Sequence, residues 1–246
     1  MLMMNRAKSA LRYLSLAEPI WHWRLATGSC PNCDSRQFAS LGRSAFLTRC
    51  LRCKANIVNL STVSVLGSLD VSRMRAHEFS SFGATFEFLK RHCPDFTYSE
   101  YFPGKPAVVN GIRNEDVTNQ TFASNSLDLL TSNGVMEHVP EDVQGYRECH
   151  RVLKPGGMLI FTVPLYDTPE SIKLASVNGN EIVWHGTPEY HDSRLAGPFT
   201  APTFWRHSWR DMCDRVRQVG FRSVELIDVI LSPAQGEPSK VVKAVK

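Results

Sequence analysis

The chain has no long apolar run, no internal repeat and no low-complexity tract. The first absence excludes a membrane-spanning helix, which needs about 20 consecutive apolar residues. The other two leave no basis for a repeat or fibrous architecture. Strong charge of one sign is also missing. Lys and Arg number 28 and Asp and Glu 24, a net charge of +4. That permits an anionic partner without requiring one. A nucleic-acid module more often clusters its basic residues on one face. Here they are spread, apart from Arg206, Arg210, Arg215 and Arg217, which read as a solvated helix face. Arg6, Lys8 and Arg12 lie near the N-terminus, but no apolar core leads to a small-residue cleavage site. The chain is therefore read as unprocessed and cytoplasmic.

What is present is room and metal chemistry. At 246 residues the chain can hold one α/β domain with a full core and a small appendage. Four of its seven cysteines form two pairs, Cys30-Pro31-Asn32-Cys33 and Cys50-Leu51-Arg52-Cys53, with sixteen residues between them. Two thiolates three apart on a tight turn can face one ion, and two such turns complete a closed tetrahedral shell. The pattern predicts a structural zinc ribbon over residues 30–60, whose folding energy comes from the metal. Two disulfides are the competing reading, disfavoured without a secretory leader. Residues 45–47 read as a strand entering the second pair. Cys93, Cys149 and Cys213 stand alone and read as small buried hydrophobes. Residues 1–29 form a mixed segment in which Ile20, Trp21 and Trp23 are too irregular for an amphipathic helix. Packing against the main domain is expected for it.

From about residue 70 to 246, strand-like and helical runs alternate, which predicts a parallel sheet covered by helices. Strands are expected at 75–79, 96–101, 107–110, 127–132 and 158–163. Helices are expected at 84–91, 141–153 and 208–218, and two final strands at 224–231 and 240–245. Lys154-Pro155-Gly156-Gly157 reads as a helix stop and turn.

The words Leu127-Asp128-Leu129-Leu130, Val135-Met136-Glu137-His138-Val139-Pro140 and Arg151-Val152-Leu153-Lys154-Pro155-Gly156-Gly157 occur in order. In this arrangement the chain resembles the class I S-adenosylmethionine-dependent methyltransferases, in their type 11 branch. The resemblance covers residues 75–246. It implies a Rossmann-like, seven-stranded, mostly parallel sheet with a reversed last strand and helices on both faces, and S-adenosylmethionine as cofactor. It also implies site residues. The family's glycine-rich loop after the first strand is replaced here by Glu78-Phe79-Ser80-Ser81-Phe82-Gly83. Glu78, Ser80, Ser81 and Gly83 then stand where the cofactor's amino acid moiety lies. Glu100, twenty-two residues after Glu78, takes the ribose diol, with Tyr101 beside it. Asp116 faces the adenine amino group, though an Asx turn to Thr118 competes. Val117 lines the ring, and Asn133 lines the methyl-transfer cleft.

Methyl transfer requires alignment of acceptor, methyl and leaving sulfur, and often a base. His138, His191 and Glu189 are the candidate catalytic residues. The latter two lie in a long polar stretch, residues 178–202, with Trp184, His185 and Trp205 around the same wall. Such long stretches are often functional lids. A small-molecule or glycan-type acceptor is the preferred reading. An RNA-modifying enzyme using the ribbon, and a catalytically inactive binding protein, are the alternatives.

Overall fold

The structure is a computed structural model that describes residues 17–246 except 180, 194 and 196. Of the N-terminal segment, residues 1–16 lie outside the described residues. Ile20, Trp21 and Leu25, in the described part, are exposed, so the expected packing is not met at these positions.

Three antiparallel strands, β1 (Arg24–Thr27), β2 (Gln37–Ser40) and β3 (Thr48–Cys50), form a small sheet. Residues 45–47 are a 3-10 turn rather than a strand, because Ser44 Oγ accepts from the Phe46 N–H and starts a helical turn. The first helix, α1 (Ile57–Leu66), follows directly. Its sequence, IVNLSTVSVL, is rich in β-branched residues and apolar nearly all round. Such a helix forms by burial rather than by propensity. Asn56 caps it by accepting from the Asn59 N–H at 2.9 Å. Ile57, Leu60, Val63 and Leu66 pack in one cluster with Phe38, Cys30 and Cys50 of the small sheet and with Ala76, Leu129, Ile160 and Val241 of the large one. Each such side chain contributes about 1.5–3 kcal/mol. The appendage and the main sheet thus share a core, with α1 between them.

The large sheet comprises β4 (Arg75–Glu78), β5 (Asp95–Glu100), β6 (Val108–Val109), β7 (Ile112–Asn114), β8 (Leu127–Asn133) and β9 (Leu153–Thr162). After β9 the chain makes seven short strands: β10 (Leu165–Tyr166), β11 (Ile172–Lys173), β12 (Ala175–Asn178), β13 (Glu181–Trp184), β14 (Tyr190–Ser193), β15 (Gly197–Pro202) and β16 (Trp205–Ser208). It then returns as β17 (Ser223–Val229) and β18 (Ser239–Val245). Among the described residues the large sheet has eight strands in the order β17-β18-β9-β8-β4-β5-β7-β6, with β18 antiparallel to both neighbours. The reversed strand is as expected; the count is eight rather than seven. The extra strand is β6, paired to β7 across Asn110-Gly111. Both turn residues have positive φ, 52° and 79°, the conformation an Asn-Gly hairpin turn adopts. This turn moves the third parallel strand from the expected 107–110 to β7.

Helices α2 (Ala84–His92), α3 (Asp142–Val152) and α4 (Met212–Arg217) complete the layers. The last is shorter than expected because Ser208 is drawn into β16 and residues 209–211 form a turn. The Lys154–Gly157 turn is an excursion within β9: Leu153 pairs with Leu127, and Met158 with Leu129. There Gly157 lies so close to the carbonyl of Lys154 that a Cβ would sit 2.9 Å from it. The polar stretch at 178–202 is not an open loop but part of two antiparallel hairpins, β12–β13 and β14–β15. The arginine group is not a solvated helix face either. Arg206 binds Glu189, Arg210 binds Asp167, and half-buried Arg215 makes two hydrogen bonds to buried Asp142. No helix among the described residues is long and apolar enough to cross a membrane.

Candidate functional site

The carboxyl ends of β4, β5, β7 and β8 converge, and open α/β sheets bind ligands at such edges. Glu78 ends β4 and is fully buried. Burial pushes its carboxyl up to about 7, against the opposing effect of hydrogen bonds from Thr131 and Asn133. Thr131 Oγ1 donates to one oxygen, and Asn133 Nδ2 lies 3.4 Å from the other.

The loop that follows explains its missing glycines. Gly83 has φ +104° and ψ 176°, a region only glycine occupies readily. Ser80 and Ser81 are not among the residues with positive φ. The backbone therefore needs glycine at one position of this loop, and the chain has kept it there. Ser80 Oγ donates to the Phe82 carbonyl at 3.2 Å. Ser81 donates to Glu100 Oε1 from its backbone N–H at 2.7 Å and from its hydroxyl at 2.8 Å. This holds the carboxylate at the end of β5 against the loop, while its other oxygen has no hydrogen-bond partner among the described residues.

Beyond β7, Asp116 Oδ1 accepts from Thr118 N and Oγ1 at 2.8 and 2.7 Å, the Asx turn that competed with an adenine-facing role. Val117 is buried in the main core and Tyr101 is exposed. Asn133 is the junction of the site. Its Oδ1 accepts from Thr62 Oγ1 at 2.6 Å and Thr162 Oγ1 at 3.0 Å, and its Nδ2 donates to Thr85 Oγ1 at 3.0 Å. Sequence reading missed these three threonines. Thr62 carries no sequence signal, because α1 lies outside the matching words and reaches the site only by tertiary packing.

A second cluster lies beside this edge. His138, in the turn after β8, donates from Nδ1 to the Pro202 carbonyl at 2.7 Å. Glu137 Oε1 lies 3.9 Å from His138 Nε2 and 4.0 Å from His191 Nδ1. His191 Nε2 lies 3.5 Å from Glu189 Oε1, and Arg206 holds the other oxygen of Glu189. The two imidazoles meet edge to face at 5.0 Å. Burial holds both histidines below their ordinary range and pushes Glu137 up to about 7. The structure thus brings the three candidate catalytic residues together and adds Glu137, which sequence reading did not single out. The hairpins hang on the same turn: Phe204 N donates to the Glu137 carbonyl at 2.8 Å and Trp205 Nε1 to the Pro140 carbonyl at 3.2 Å. Trp205 stacks under Arg215 at 3.9 Å, Trp184 packs on Tyr190, and His185 bonds Ser176.

The four ribbon cysteines also converge. Neighbouring sulfurs are 3.5, 3.6 and 3.7 Å apart, and all four lie within 4.8 Å of one another. The edge of a tetrahedron with ~2.3 Å zinc–sulfur bonds is about 3.8 Å. Asp34 and Lys54, directly after each pair, both adopt positive φ, and their N–H groups donate to the carbonyls of Cys30 and Cys50. The two turns are therefore alike, and no disulfide links any of the four. The donor set fits a four-thiolate ion. Cys93 and Cys149 are buried, and Cys213 partly so.

A Rossmann-like sheet whose reversed strand lies second from one edge, as β18 does, is the fold of methyltransferases. Residues 83–161 match the Methyltransf_11 family, a methyltransferase domain. The malonyl-[acyl-carrier protein] O-methyltransferase 1 of Coxiella burnetii is 38% identical over 71 residues, which are 29% of this chain and 25% of that protein. The fold is also that of an S-adenosylmethionine dependent methyltransferase from Mesorhizobium loti. That structure is 16% identical, covers 76% of this chain and 98% of its own, and has a TM-score of 0.52. At that identity the likeness concerns the fold.

Proposed function

We propose that the chain transfers a methyl group from S-adenosylmethionine to a small-molecule or glycan-type acceptor. One observation carries this reading: Glu78, the Ser81–Glu100 clasp and Asn133 meet where β4, β5 and β8 end. When bound, the cofactor would supply a sulfonium methyl that an acceptor lone pair attacks, the C–S electron pair leaving with sulfur. Glu100 would hold the ribose diol, Asp116 and Val117 the adenine, with Tyr101 at the rim. Glu78, Ser80, Ser81 and Gly83 would surround the amino acid moiety. The acceptor's proton is handled at the cluster of His138, His191 and Glu189. Two carboxylates there, Glu137 and Glu189, disfavour a phosphate backbone, which supports the small-molecule reading over RNA. The ribbon, residues 30–60, is read as a structural zinc module bound by Cys30, Cys33, Cys50 and Cys53. Mass spectrometry of small molecules retained on the purified chain tests the reading. S-adenosylmethionine or its demethylated product should be found, and a chain that neither retains nor takes up either one would overturn it.

A further inference from the structure

We propose that Glu137, His138 and His191 form a site for a single divalent first-row transition ion, separate from the four-thiolate ribbon. The site rests on the methyl-transfer reading only for its purpose, not for its geometry.

Three observations converge. First, one donor atom from each residue lies within 4.8 Å of the others. The separations of 3.9 and 4.0 Å from Glu137 Oε1 to the two imidazole nitrogens are too long for N–H···O hydrogen bonds. A tetrahedral ion with bonds of about 2.1 Å would set them near 3.4 Å, so about half an ångström of closure is needed. Second, the outer nitrogen of each imidazole faces an oxygen acceptor. His138 Nδ1 donates to the Pro202 carbonyl, and His191 Nε2 faces Glu189, itself held by Arg206. These partners fix the tautomers so that both remaining lone pairs face Glu137. A carbonyl or carboxylate behind a histidine is the usual support of a metal ligand. Third, the Glu137 side chain is only 3% exposed, yet its Oε2 has no hydrogen-bond partner among the described residues. A buried carboxylate oxygen facing lone pairs, with one oxygen unpartnered, is costly unless a cation satisfies it.

Two imidazoles and a carboxylate suit Mn, Fe or Zn and leave coordination positions open. The cluster borders the methyl-transfer edge, since a Cβ built on Gly134, next to Asn133, would lie 3.4 Å from Glu137 Oε1. An acceptor hydroxyl bound at an open position would release its proton to solvent more readily, leaving the oxygen lone pair for the methyl carbon.

Mn2+ is the probe, because the soft thiolate ribbon disfavours it. Protein with zinc in its ribbon is titrated with Mn2+, and loss of the free-ion paramagnetic resonance signal is followed. One Mn2+ per chain is expected, with affinity at least tenfold weaker in both E137Q and H191A. No uptake by the wild type, or equal uptake by both variants, overturns the site. S-adenosylhomocysteine titrations of the same samples show that the variants are folded. They also separate the two claims: cofactor binding without Mn2+ uptake removes this site alone, and Mn2+ uptake without cofactor binding removes the methyl-transfer reading alone.

Discussion

Two buried glutamates, Glu78 at the end of β4 and Glu137 in the turn after β8, are both pushed up to about 7 by burial. Their surroundings differ. Glu78 receives hydrogen bonds on both oxygens, from Thr131 and Asn133, within the sheet itself. Glu137 has one oxygen with no hydrogen-bond partner among the described residues and faces histidines, one of which comes from a distant hairpin. The side around Glu78 is complete in the protein alone. The side around Glu137 leaves a carboxylate oxygen open. On the proposed function, the first half would hold the cofactor and the second would meet the acceptor.

The largest expected effect checks that both halves rest on an intact appendage. Replacing Cys30 and Cys50 by Ser should abolish zinc, measured by elemental analysis, and release a structural contribution on the order of 10 kcal/mol. The shared cluster around α1 should then loosen, and metal-free protein with unchanged melting would count against the ribbon. Next, H191A should lower turnover by about 10²–10⁴-fold while leaving cofactor affinity within a factor of two. A fall in both together would merge the halves. E100A should do the reverse, weakening S-adenosylmethionine binding about 10–100-fold, as loss of charge-assisted hydrogen bonds implies.

A smaller effect is the pH dependence of stability. Glu78 titrates at about 7 when folded, against an ordinary value of 4.5. Between these values the folded chain keeps a proton that the unfolded chain has lost. Stability should therefore fall as pH rises through that window, by up to a few kcal/mol. In E78Q this part of the slope should vanish in denaturant titrations at pH 5 and 7; an unchanged slope would contradict the burial argument. The smallest effect is T62V, which removes one hydrogen bond to Asn133. It should weaken cofactor binding by only about 1 kcal/mol, or roughly fivefold.

Part of the Glu78 side was legible in sequence because Glu78, Glu100 and Asn133 each end a strand. The strands at 75–78, 95–100 and 127–133 lie close to where the alternation of strand-like and helical runs predicts them. The third strand was displaced by an Asn-Gly hairpin, a turn whose signal is only two residues long. The Glu137 side was legible as residue types and not as an assembly. His138 and His191 are 53 residues apart, and only hairpin pairing between β14 and β15 brings them together. Reading residues 178–202 as polar loop missed that pairing, because exposed hairpins bury too few apolar residues to show alternation. Helix α1 was missed for the opposite reason: it is apolar on nearly every face and so has no periodicity.

The most direct test of methyl-donor binding is calorimetric titration of the wild type and E100A with S-adenosylmethionine. One site per chain in the wild type, weakened about 10–100-fold in E100A, is the predicted result. No binding heat in the wild type, or equal affinity in the two proteins, would contradict it.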